Sequence, residues 1–163
     1  MNENLENENQ LIERKEQGNY SIVGFEDLGF STNTKTQVIT NITDEKKMFN
    51  LENKVDEMLN DCEGELIRVK DVLIKKYAKP MKEPVIDEET GEIIKDTEYT
   101  FSCVLVDDTG KSYATGSKTF TIQLLKLLQM KSRLGKTNET FEIKIIRKKI
   151  ANSVNKALSF ELV

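Results

Sequence analysis

Between Glu65 and Tyr77 the chain alternates apolar and polar residues and then changes step. Ile67 and Val69 share one face of an extended segment, after which the apolar set moves to Val72 and Ile74. Successive strand side chains point to opposite faces, so such a slip exposes the apolar set unless an extra residue absorbs it. A β-bulge near Asp71 does that and bends the strand sharply. The segment therefore predicts a long, bent strand that serves two sides of a small β-structure. That narrows the folds open to 163 residues, a length suited to one domain with appendages.

Other periodicities place the remaining elements. Residues 1–18 are Asn- and Glu-rich and cannot bury enough apolar area to offset their ordering entropy, so they read as a flexible acidic tail. Residues 19–62 form an N-terminal arm followed by an amphipathic helix. Met48, Leu51, Val55 and Met58 recur at helical spacing over Asp44–Leu59, Thr43 is a candidate cap, and Asp44 and Glu45 suit the helix N-terminus. Residues 78–98, with Pro80, Pro84 and an acidic turn, read as a loop holding at most a small hairpin. A second strand follows, with Tyr99, Phe101, Cys103 and Leu105 inward. After the turn Asp107-Asp108-Thr109-Gly110, a short third strand runs Lys111–Thr115, with Lys111 and Tyr113 on the face opposite Ser112 and Ala114. Ser117 caps a helix over Lys118–Leu134 that Gly135 closes, and Thr140–Lys149 and Ala157–Val163 are the last two strands.

From residue 63 to 163 the order is strand, strand, strand, helix, strand, strand. A helix between the third and fourth strands of a five-stranded Greek-key barrel is the OB architecture, and the overall class is β with helices, or α+β. An α+β sandwich gives the same string.

Several chemistries are excluded at once. The chain has no His, so no Ser-His-Asp triad and no His-based acid–base or metal cluster can form. Cys62 and Cys103 are far apart and neither belongs to a CxxC pair, which removes zinc ribbons and dithiol redox motifs; both read as small core residues of a reducing compartment. Gly110-Lys111-Ser112 resembles the end of a phosphate loop, but that loop needs a Gly where Leu105 stands. Asp87-Glu88-Glu89 lacks calcium-loop spacing. The expectation is a non-catalytic protein without cofactor or metal. It has no apolar run near the ~18 residues that span a bilayer and no basic leader, hence a cytoplasmic location.

Charge is informative when divided. Net charge is −4, yet residues 1–110 carry 13 basic and 25 acidic residues, and residues 111–163 carry 11 basic and 3 acidic. Such asymmetry suits a polyanion partner or an acidic tail. Unpaired nucleic acid needs cations along its phosphates and flat rings beneath its bases. Leu73, Lys75 and Tyr77 share an outward face, as do Lys111 and Tyr113, so two tyrosines each sit two residues from a lysine. Lys76 and Lys79 add charge beside the first and Lys118 beside the second, while Arg147, Lys148 and Lys149 end the fourth strand.

The stretches Val72–Tyr77, Gly110–Thr119, Phe141–Ile146 and Leu158–Val163 resemble the small single-stranded DNA-binding proteins of phages with protein-primed replication. The likeness covers roughly residues 64–163 and rests on a Gly turn, Lys-Ser-Tyr-Ala, a Ser-Lys-Thr helix start and a final strand at the C-terminus. It implies an OB barrel whose tyrosines, here Tyr77 and Tyr113, stack on displaced single strands to coat and protect them without sequence preference. The roughly sixty extra N-terminal residues depart from that pattern. They would meet replication proteins or compete with DNA for the cationic surface. The alternative is an OB-type protein-interaction module in which the 44–59 helix docks a partner.

Overall fold

The long strand is longer than its periodicity indicates. In the computed structural model, which describes residues 20–23, 36–151 and 154–163, β4 runs Leu66–Ile86, 21 residues. The 1–18 tail and most of the 19–43 arm lie outside the described residues. Before β4 come β1 (Tyr20–Val23), β2 (Thr36–Thr40), helix α1 (Glu45–Asn53), the two-residue β3 (Glu57–Met58) and a 3-10 turn, Leu59–Asp61. After it come β5 (Ile93–Asp107), β6 (Ser112–Thr115), α2 (Lys118–Arg133), β7 (Phe141–Lys149) and β8 (Lys156–Leu162).

β4 changes partners at its bulge. Along one edge Leu66–Val69 pairs with β7 and Leu73–Lys76 with β2, while β5 runs along the other edge from Val69 to Ile86, its register shifting between Val69 and Asp71. The bulge thus sits where the alternation slips, and it lets one strand join two parts of the sheet.

The barrel expectation fails at closure. The strands form one mixed sheet in the order β1-β2-β4-β5-β6-β3, with β7 added on β4 and β8 on β7. A closed five-stranded ring would need the last strand against the third. Instead β6 takes β3 on its outer edge in parallel, Glu57 opposite Tyr113 and Met58 opposite Ala114. No ladder among the described residues joins β6 to β8. β2 likewise joins β4, Ile39 opposite Ile74. Residues assigned by sequence to a separate N-terminal segment therefore supply three strands of an open sheet, β1, β2 and β3. The smaller barrel gives way at β6, whose outer edge β3 already occupies, while β8 pairs only with β7 among the described residues.

The sheet is buried on both faces at its centre. One face carries Ile39, Val72, Ile74, Cys103 and Leu105 and receives Phe120, Leu124 and Leu128 of α2. The other carries Val38, Leu73 and Val104, covered by Met48 and Leu51 of α1 and by Val55. Two-sided burial explains the unbroken apolar triplet Val72-Leu73-Ile74 and the run from Cys103 to Val106. It also means that Leu73, read as outward, is a second core residue, 2% exposed.

Helix ends follow side-chain chemistry. Asp44, rather than Thr43, caps α1: its Oδ1 accepts from the backbone N–H of Lys46 at 3.0 Å and of Lys47 at 3.4 Å. α1 stops at Asn53, short of the expected Leu59, and Val55 packs from the strand-like segment beyond it. Ser117 Oγ accepts from Phe120 N–H at 3.2 Å, and Gly135 follows α2 with φ of +69°, as expected from sequence.

Residues 78–98 are not a loop. β4 and β5 continue together as a long hairpin, irregular between Pro80 and Val85, that turns at Asp87–Glu92. Prolines here mislead because this stretch of β4 needs only one hydrogen-bonded edge, on the β5 side.

Candidate nucleic-acid interface

Where the hairpin leaves the body, the face that carries Ile74 and Cys103 continues past the core. Lys76 lies opposite Phe101 and Ala78 opposite Tyr99. α2 crosses this face and presents Lys118, Ile122, Leu125 and Lys126, at helical spacings of four, seven and eight. The result is a groove of about 380 Å³ between sheet and helix, with an apolar floor of Phe101, Ile122 and Leu125 and a cationic rim.

The electrostatics of the rim favour an anion. The Lys76 ammonium sits 4.1 Å from the Tyr99 ring centroid, a cation–π contact. Burial, and secondarily the like charge of Lys118, pulls the Lys76 ammonium below the ordinary lysine range. Lys118 and Lys126 make no ion pair among the described residues. The first turn of α2 holds no acidic residue, so the positive end of the helix dipole adds to the field. On the adjoining strand Gln37, directly across from Lys76, keeps its Oε1 buried without a hydrogen-bond partner.

The residues expected from sequence divide into three groups. Lys76 and Lys118 enter the groove. Lys75 and Tyr77 lie on the opposite face, where Lys75 Nζ is 2.7 Å from Glu52 of α1 and Tyr77 is 37% exposed. Lys79 is exposed, 3.5 Å from Glu98. Arg147 donates to the Asn60 carbonyl at 3.0 Å and lies 3.6 Å from Glu63, while Lys148 and Lys149 are exposed at the end of β7.

Tyr113 is where the expected site breaks. It is 6% exposed, packs in the main core opposite Leu105, and its hydroxyl lies 3.3 Å from Asp107 Oδ2. No base can lie on a ring held there. β6 has only four residues, and its register on β5 puts Tyr113 and Thr115, not Ser112 and Ala114, on the Cys103–Leu105 face. That is the reverse of the sequence reading. Lys111 is likewise committed: its ammonium lies 2.7 Å from Glu57, a contact that raises its pKa.

Sequence reasoning missed Tyr99 as a site residue and missed Lys126 altogether. Tyr99 shares the inward face of β5 with Phe101 and Cys103, but the core ends before it. The four-residue spacing of Ile122 and Lys126 on α2 was the available signal.

One cluster has the residue types of a metal site. Ligand atoms of Glu57, Cys62 and Glu65 lie within 4.8 Å of one another. Glu57 is held by Lys111, and burial together with the nearby carboxylates pushes the Cys62 thiol up to about 12. With the Lys111 ammonium already 2.7 Å from Glu57, the cluster is a buried cysteine beside an ion pair.

No family model matches this chain, and neither the curated proteins nor the solved structures contain a match to it. No helix among the described residues is long and apolar enough to cross a membrane.

Proposed function

We propose that this protein binds single-stranded DNA, largely without regard to sequence, in the groove between the β4–β5 hairpin and α2. It would coat and protect unpaired strands during replication of the phage type its sequence resembles. The observation that carries this reading is Tyr99 under the Lys76 ammonium, with Lys118 and Lys126 lining the same apolar groove. Single strands need that combination: cations track the backbone, and bases gain ~1–3 kcal/mol each from stacking on a ring. Tyr77, 37% exposed, lies on the far face of β4 and is not part of this groove. Lys148 and Lys149 are exposed on the final hairpin and do not line this groove.

A docking role for α1 has less support, because its Met48 and Leu51 are taken up by Leu73 and Val104 of the sheet.

Fluorescence anisotropy with labelled oligo-dT, an RNA oligomer and a DNA duplex tests the proposal. Oligo-dT should bind more tightly than duplex. Three lysine–phosphate contacts give a slope of about −2 in log K against log salt, at ~0.7 per neutralised phosphate. Binding that ignores salt, or that prefers duplex, refutes it.

A further inference from the structure

The far end of the β4–β5 hairpin exposes four aliphatic side chains: Val85 at 45%, Ile86 at 53%, Ile93 at 61% and Ile94 at 66%. Ile86 and Ile93 are direct cross-strand partners. The turn joining them is Asp87-Glu88-Glu89-Thr90-Gly91-Glu92, four carboxylates and no cation. It is tightly built, with Asp87 and Glu92 bonded through the backbone at 2.8 Å and Gly91 in the left-handed region at φ +71°. A turn of this kind needs polar residues and a glycine; it does not need four β-branched aliphatics beside it. Ile86 and Ile93 form an exposed apolar pair on one face of the ribbon, with Val85 and Ile94 at the alternating positions beside them; exposed apolar side chains rimmed by polar residues mark a contact site.

The complement of this tip is the groove at the other end of the same hairpin. The groove floor is apolar and its rim carries Lys76, Lys118 and Lys126, opposite in sign to the turn. Ile86 lies ten residues beyond Lys76 on a paired strand, on the order of 30 Å at ~3.3 Å per residue, so a tip cannot reach its own groove. Pro80 and Pro84 also blunt the edge of the arm against strand addition, which leaves the tip as the contacting surface. We propose that the occupant is a second copy of this chain: the acidic, aliphatic tip of one protomer docks in the lysine-rimmed groove of the next. The two surfaces differ, so the contact is head-to-tail and propagates into a ring or an open row. It does not depend on the nucleic-acid reading, but it shares that groove, so DNA and tip exclude one another there.

Sedimentation velocity on the full chain tests this with two variants, Ile86→Asp/Ile93→Asp at the tip and Lys118→Glu/Lys126→Glu at the groove. All four positions are exposed or at the groove edge, except that Lys118 opens α2, so far-UV circular dichroism is recorded alongside. Wild type should grow in mass with concentration, and each variant alone should sediment as one 18.7 kDa chain. An equimolar mixture of the two retains one intact tip and one intact groove, and should give a species of two chains and nothing larger. A wild type that stays single at every concentration, variants that still associate, or a mixture that stays single would each overturn the proposal. The tip variant separates the two readings. If it is monomeric yet fails to bind oligo-dT, the nucleic-acid reading fails while this one stands.

Discussion

Phe120→Ala should destabilise the protein by about 3–5 kcal/mol, the usual cost of truncating a fully buried phenylalanine. Phe120 is fully buried in the first turn of α2, where its ring meets Phe160 of β8 edge-on with centroids 5.1 Å apart. The contact ties helix to sheet on the side where the strands do not close into a ring, so no hydrogen-bonded ladder substitutes for it. Gln123 reinforces the same junction, donating to the Phe160 carbonyl at 2.7 Å and accepting from Ser159 at 2.7 Å. Domains of this size are stable by ~5–15 kcal/mol, so the variant loses a large share of that margin. Urea unfolding followed by circular dichroism measures it. A loss below about 1 kcal/mol would mean that α2 is not anchored as described.

The largest functional effect is expected at the groove. Tyr99→Ala removes a stacking surface worth ~1–3 kcal/mol, roughly tenfold in affinity or more. Joined to Lys118→Glu and Lys126→Glu, which replace two attractions for phosphate with two repulsions, it should weaken oligo-dT binding on the order of a hundredfold. The salt slope should flatten in step. Lys148→Glu/Lys149→Glu is the comparator, since those exposed lysines lie on the β7–β8 hairpin rather than in the groove. Anisotropy titrations of both variants decide between the surfaces. Equal losses would mean that diffuse positive charge, not the groove, holds the strand.

What could be read from the sequence follows from where period and partner coincide. The slip near Asp71 marks a real change of partner because both halves of β4 have a buried face to reveal it. Ser117 and Gly135 bracket α2 because capping chemistry is local. Closure could not be read, since it turns on β3, two residues with no alternation to detect. Tyr113 was inverted for a related reason: four residues of β6 do not fix a phase until β5 supplies the register. In the candidate site, Lys76 and Lys118 were legible as cations near a strand end and a helix start. Their meeting around Tyr99 was not, because it depends on how α2 crosses the sheet.

The central claim is that an unpaired strand lies between the hairpin and α2, and chemical-shift mapping tests it most directly. Titration of isotope-labelled protein with oligo-dT should perturb the resonances of Lys76, Tyr99, Lys118, Ile122 and Lys126 together and saturably, with those of Tyr113 and the α1 face unmoved. Perturbations confined to the β7–β8 hairpin, or none at saturating oligomer, would contradict it.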